Sequence, residues 1–176
     1  MNSFDINKLE KSIRDVLDFP KPGIIFKDIT PILADPDLLS SSIKALTSFV
    51  DNSSIDKVIG IDARGFIFGS LVAGALGKGF IPVRKEGKLP WKTESQSYDL
   101  EYGQSVIEIH NDAILPGERI LVIDDLLATG GTAAAAIKLV KRLGGIVDLA
   151  AFFIELEFLN GRELLNDCEV KSVLKY

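Results

Sequence analysis

Residues Ile120 to Thr132 read ILVIDDLLATGGT, and no other stretch restricts the architecture as much. The run Ile120 to Ile123 suits a strand buried on both faces, the pattern of a parallel sheet covered by helices. Asp124 and Asp125 then fall at its carboxyl end, the edge at which open α/β sheets bind ligands. Thr129-Gly130-Gly131-Thr132 follows and opens an alanine-rich helix. Without a Cβ, the two glycines let successive backbone N–H groups converge on one anion, and the helix adds the partial positive charge of its amino end. The hydroxyls of Thr129 and Thr132 add donors, so Ala128 to Thr132 suits a phosphate. Two carboxylates beside a phosphate would repel it, which leaves neutral hydroxyls or a hydrated Mg²⁺ as their partners. A sugar phosphate offers both parts. This is no Walker A loop, because no Lys-Ser/Thr pair follows the glycines.

Strand and helix signals alternate along the rest of the chain. Val58 to Ile61 reads as a strand running into Asp62-Ala63-Arg64-Gly65, and a helix from Phe66 to Leu76 is closed by Gly77. Phe80 to Val83, Val106 to Ile109, Ile146 to Ile154 and Val170 to Leu174 are further strands, and Thr132 to Leu143 is a helix. Ile6, Leu9, Ile13 and Val16 recur at helical spacing and predict an amphipathic helix over 4–17. Pro20, Pro22 and Gly23 make Phe19 to Thr30 an irregular segment. Asp35 caps a helix with Pro36 in its first turn, and Leu39, Ile43, Leu46 and Val50 form its stripe. From Arg84 to Tyr102 no clear period holds, which predicts a long loop of the kind that serves as a lid. The class is therefore α/β: one domain over 1–176, a mostly parallel central sheet with helices on both faces, an N-terminal segment and a long flexible loop.

Composition removes several alternatives. A net charge of −5 argues against general nucleic-acid affinity. No apolar run approaches the roughly 20 residues of a membrane span, and MNSFDINKLEKSIRDV lacks the basic head and apolar core of a secretory signal. A cytoplasmic protein with no membrane partner is expected. Cys168 and His110 are the sole representatives of their types. A Cys/His zinc site is excluded by count, so Cys168 reads as a small core residue and His110 as a strand residue.

Against the acidic background, Arg84, Lys85, Lys88 and Lys92 crowd into one short run. Beside a phosphate loop such a run attracts a polyanion. The turn Asp62 to Gly65 also follows a strand and precedes a helix, and Arg64 can grip phosphate oxygens bidentately. Lys85, at the end of the next strand, adds a point charge. Two such turns at one edge make room for a second phosphate group.

FPKPGIIFKDIT, GIDARGFIFG, VRKEGKLP, YDLEYG and VIDDLLATGGT, in this order, resemble the type I phosphoribosyltransferases, in particular the branch that uses adenine; GREL at Gly161 to Leu164 extends the match more weakly. The resemblance implies that adenine and phosphoribosyl pyrophosphate give AMP and pyrophosphate, with Mg²⁺ required and a homodimer usual. It implies that Ala128 to Thr132 hold the 5′-phosphate and that Asp124 and Asp125 hold the ribose hydroxyls. Asp62, Ala63, Arg64 and Gly65 resemble the pyrophosphate loop, with a cis peptide between Asp62 and Ala63. Ile25, Phe26, Lys27 and Leu156 resemble the base contacts, and Glu101, Tyr102 and Arg64 the catalytic set. No direct protein ligand for Mg²⁺ is implied; the ion would ride on substrate and water near Asp124 and Asp125. Ala63 stands where Ser is common and Lys27 where Arg is common. Two rival readings stay open: transfer to a 6-oxopurine or other base, and a regulator that binds the same ligands without catalysis.

Overall fold

The computed structural model describes residues 5–100 and 103–176. The chain divides into two compact units, Met1–Ala45 and Leu46–Tyr176.

In the first unit α1 (Ile6–Lys11) is capped by Asp5, whose side chain accepts from the Lys8 N–H at 3.1 Å. The helix predicted over 4–17 stops at Lys11, because β1 (Arg14–Leu17) pairs antiparallel with β2 (Ile25–Asp28). The register sets Arg14 opposite Asp28 and Asp15 opposite Lys27, and Lys27 Nζ lies 2.7 Å from Asp15. Opposite charges across a strand pair favour the sheet, and helical spacing cannot reveal a partner from another segment. The stretch from Phe19 to Thr30 is likewise more regular than its prolines and glycine suggest. Asp28 accepts from the Thr30 N–H at 2.9 Å and starts α2 (Thr30–Ala34), an element the prediction lacked.

Asp35 does cap α3 (Pro36–Thr47), accepting from the N–H groups of Asp37 and Leu38. The buried face is displaced from the predicted stripe: Leu38, Ser42, Ala45 and Leu46 are buried, Leu39 and Ile43 are half-buried, and Val50 lies beyond the helix. Ser42 hides its hydroxyl by donating to the Leu38 carbonyl at 2.9 Å, so a polar residue occupies the inner face.

The second unit holds β3 (Lys57–Ile61), α4 (Gly65–Leu76), β4 (Gly79–Lys85), β5 (Thr93–Leu100), β6 (Gly103–His110), β7 (Arg119–Leu127), α5 (Gly131–Arg142), β8 (Ile146–Glu155) and β9 (Glu169–Lys175). Its sheet runs β5-β6-β4-β3-β7-β8-β9, with β4, β3, β7, β8 and β9 mutually parallel and β6 and β5 antiparallel at one edge. This is the mostly parallel sheet expected. Thr93 to Leu100, read as part of a loop, is a strand paired with β6 along its length. It alternates polar residues on both faces, so hydropathy gives no period; pairing and α5 hold it instead. Arg142 donates to the Ser95 carbonyl at 2.8 Å and to Gln96 Oε1 at 2.6 Å.

Alternation along the strands places one helix on each face. Ile59, Ile61, Ile120, Val122, Ala150 and Phe152 face the cluster that contains Ala133, Ala136, Ile137 and Val140 of α5. On the opposite face Phe153 stacks on Phe68 of α4, ring centroids 5.0 Å apart. There α4 comes down onto glycine: a Cβ on Gly60 would stand 2.6 Å from the Gly65 carbonyl oxygen and 2.8 Å from Phe80 Cε2. That close approach seats the start of α4, and hence the Asp62–Gly65 turn. Gly60→Ala is expected to lower the unfolding free energy by about 1–3 kcal/mol through overpacking, read as a lower urea midpoint at unchanged m-value.

Candidate active site

Three turns meet at the carboxyl edge of β3, β4 and β7. The strand β7 is buried through Ile123, and its last turn outward delivers the acid pair. Asp125 is 5% exposed, whereas Asp124 is half-buried and faces two adjoining clefts. The larger, about 320 Å³, is lined by Asp62, Ala63, Arg64, Lys85, Asp124 and Asp125 among others. The smaller, about 70 Å³, is lined by Asp124 and the loop from Leu126 to Thr132. Asp124, Leu126 and Thr132 border both.

The loop after β7 is shaped by Gly130, at φ 83, which begins α5 with no side chain satisfying its first N–H groups. N–H groups at a helix start with no side-chain cap are the donors that an anion can take up. Gly130 also packs against the Gly161 carbonyl so closely that a Cβ would overlap it. The start of α5 thus offers backbone N–H groups and, at Gly130, no room for a side chain.

The turn after β3 has the expected cis peptide between Asp62 and Ala63. Arg64 Nε lies 2.9 Å from Asp125 Oδ2 and forms an ion pair with it. Gly65 is required by Asp124: a Cβ there would stand 2.6 Å from Asp124 Oδ1. The cationic run splits in two. Arg84 Nε donates to Asp62 Oδ2 at 3.2 Å, with Lys88 Nζ 3.5 Å from the same oxygen, whereas Lys85 lines the larger cleft. Asp62 is thus held by cations of its own chain.

Both acids are shifted the same way. Burial, and then the charge of Asp125, raises the Asp124 carboxyl well above the ordinary aspartate range. Burial also raises Asp125, opposed chiefly by the charge of Arg64. Displaced carboxyls of this kind mark sites kept for function rather than stability. As a fit for Mg²⁺ the donor set is oxygen-only and hard, which suits the ion. Among the described residues no group of three His, Cys, Asp or Glu side chains could hold a metal. Asp124 and Asp125 are the carboxylates that would stand next to such an ion.

Leu156 begins a 3₁₀ turn beyond β8, half-buried, with its N–H donating to the Leu127 carbonyl at 2.9 Å. In the first unit Phe26 meets Phe19 edge to face at 5.2 Å, and the two border an apolar cleft of about 180 Å³ with Val16. Ile25 is exposed beside it, and Lys27 holds Asp15. Glu101 and Tyr102 lie outside the described residues. Sequence reasoning missed Tyr98, which reaches the larger cleft from β5; the one aromatic in a polar string was its only signal. It also missed the buried Glu155, bound by Arg162 and Ser172. Cys168 is half-buried and its thiol is pushed up by burial, as suits a core residue. Among the described residues no helix is long and apolar enough to cross a membrane.

Residues 30–172 match the model of the phosphoribosyl transferase domain. The chain is 53% identical over 171 residues to the adenine phosphoribosyltransferase of Nitrosococcus oceani, covering 97% of this chain and 100% of that one. Crystal structures of adenine phosphoribosyltransferases resemble it throughout. That from Thermoanaerobacter pseudethanolicus is 48% identical with a TM-score of 0.95, covering 98% of this chain and 100% of the other. That from Rhodothermus marinus is 52% identical with a TM-score of 0.92, covering 97% and 98%.

The acid pair generates a pH signature. The folded state holds these protons more tightly than the unfolded chain, so stability declines as pH rises from the ordinary value of 3.8 through the raised ones. Asp124→Asn keeps an acceptor for the Asp125 N–H and removes one charge. It is expected to raise the thermal midpoint at pH 7 relative to the parent, with the gap closing below pH 3.8; a variant less stable than the parent at pH 7 would contradict the burial argument.

Proposed function

The chain belongs to the adenine phosphoribosyltransferases of the type I phosphoribosyltransferase family, and from that premise we propose how it makes AMP and pyrophosphate from adenine and phosphoribosyl pyrophosphate, a purine-salvage reaction. One observation carries the reading: the acid pair, the Thr-Gly-Gly-Thr loop and the Asp62–Gly65 turn border two clefts that share Asp124 and Thr132. A molecule with a phosphate at one end, hydroxyls in the middle and a pyrophosphate at the other matches that sequence of groups.

In this reading Ala128, Thr129, Gly130, Gly131 and Thr132 bind the 5′-phosphate through backbone N–H groups and hydroxyls. Asp124 and Asp125 accept hydrogen bonds from the ribose hydroxyls. Asp62, Ala63, Arg64, Gly65 and Lys85 surround the pyrophosphate. Arg64, ion-paired with Asp125, borders the larger cleft and can grip the incoming phosphate oxygens bidentately. Displacement at C1 passes through a state of oxocarbenium character, so the enzyme needs no covalent nucleophile. Its task is to stabilise the departing charge with donors already in place. Arg64 and Lys85 do this at the leaving group.

Asp124 and Asp125 would stand next to a Mg²⁺ ion carried by the substrate. When bound, the ion supplies positive charge that offsets the negative charge growing on pyrophosphate. Ile25, Phe26, Lys27 and Leu156 are the base contacts by resemblance, with Phe26 as an aromatic face. Glu101 and Tyr102 complete the catalytic set, Glu101 managing the proton on adenine. A cytoplasmic homodimer belongs to the same reading.

The first test is pyrophosphate release from phosphoribosyl pyrophosphate with each base in turn. Release is expected with adenine and Mg²⁺ together, and not with hypoxanthine, guanine or orotate; turnover of a 6-oxopurine would move the chain's specificity elsewhere. Arg64→Ala should weaken phosphoribosyl pyrophosphate by about 10–100-fold, the worth of charge-assisted phosphate contacts, and AMP by less than about threefold. Equal losses for both ligands in a calorimetric titration would contradict the placement of Arg64 at the pyrophosphate.

A further inference from the structure

The Gly161–Leu164 turn beyond β8 has no role in the reading above, yet its backbone packs directly against the phosphate loop. A Cβ on Gly130 would overlap the Gly161 carbonyl oxygen, and a Cβ on Gly161 would overlap the Ala128 carbonyl oxygen while standing 2.9 Å from the Gly130 nitrogen. The contact is reciprocal, glycine against loop on both sides. The two glycines differ in one respect. Gly130 needs its hydrogen side chain for conformation as well, at φ 83, whereas Gly161 lies outside the left-handed region. Space alone demands glycine at 161, and the occupant of that space is the phosphate loop.

Next to Gly161, Arg162 turns inward. Its Nε and a terminal nitrogen donate to the two oxygens of Glu155 at 2.6 and 2.7 Å, a bidentate fork. Glu155, the last residue of β8, is 2% exposed, and it also accepts from the Ser172 hydroxyl of β9 at 2.6 Å. The fork ties the turn to the sheet at the point where Leu156 leaves it. A buried carboxylate held by two donors in fixed geometry has one rotamer and so sets the height of the turn above the sheet. The Arg162 hydrogen bond in turn holds the Glu155 carboxyl below the usual glutamate range.

We infer that Gly161 and the Glu155–Arg162 pair are positioning residues for the ribose 5-phosphate half of the substrate: they set the backbone of Ala128 to Thr132 from behind and touch no substrate themselves. The inference rests on the proposed role of that loop as the 5′-phosphate site. The 5′-phosphate is held alike in substrate and transition state, so disturbing its loop acts on binding and leaves turnover at saturation nearly intact.

The test is calorimetric titration of the intact protein with ribose 5-phosphate, AMP and inorganic pyrophosphate, together with steady-state kinetics. Gly161→Ala is expected to weaken ribose 5-phosphate and AMP by at least about tenfold, the worth of one displaced charge-assisted hydrogen bond. Pyrophosphate, whose turn lies after β3, should stay within about twofold of wild type, and kcat within about threefold, since only shared binding is lost. Arg162→Gln should weaken the same two ligands, and Arg162→Lys should recover part of the loss by restoring charge without the fork. Unchanged ribose 5-phosphate affinity in Gly161→Ala overturns the inference, as does an equal loss for pyrophosphate, which would report general distortion. Because Gly161 lies outside the left-handed region, Gly161→Ala strains only its contact with the loop, and it decides the matter even where Arg162→Gln does not fold. Wild-type protein that fails to bind ribose 5-phosphate at all overturns the role of the loop itself, a result separate from either outcome in the variant.

Discussion

The structure depends on one demand placed on its central strand: β7 must be buried on both faces through Ile123 and one residue later present two adjacent carboxylates. A parallel sheet with a helix on each face meets the first half of that demand, because only there is an uninterrupted apolar run stable. The second half is met towards the carboxyl end of β7, where Asp124 and Asp125 border the larger cleft before the strand finishes at Leu127. Burial raises the carboxyls of both Asp124 and Asp125, and the charge of Arg64 opposes it.

Around this strand the backbone is brought unusually close to itself, and glycine is the means. Gly60 lets α4 settle on β3; Gly65 leaves room for the Asp124 carboxyl; Gly130 and Gly161 interlock behind the phosphate loop. Each contact joins a turn at the ligand edge to an element of the sheet or to a second turn. The edge is thus made of rigidly seated backbone, which suits a site whose donors must point at charge before the substrate arrives.

Much of this was legible in local order. The β7–α5 junction, the Asp35 cap and the Gly77 stop follow from turn chemistry and short-range periodicity, and each lies where that chemistry puts it. The failures have a common cause. Ile13 and Val16 continue a helical spacing, but Arg14–Leu17 finds strand partners in Ile25–Asp28. The inner face of α3 includes Ser42, whose polarity is hidden by its own helix. Thr93 to Leu100 has no apolar side to reveal it as a strand, and its order comes from β6 and Arg142. In every case a contact from elsewhere in the chain outweighed the local pattern.

By itself the sequence determined the class of fold, the acid pair towards a strand's end and the glycine loop after it, because strand burial, glycine turns and helix polarity are properties of a few consecutive residues. Only the tertiary structure decided which cations serve the larger cleft. Arg64 and Lys85 border it, while Arg84 and Lys88 are taken by Asp62. Only the tertiary structure showed what the GREL segment touches, since its glycine meets the loop from Ala128 to Gly130 and its arginine meets the end of β8. Those are contacts between segments distant in the chain, and spacing along a sequence holds no information about which distant backbone will fill the room a missing Cβ leaves.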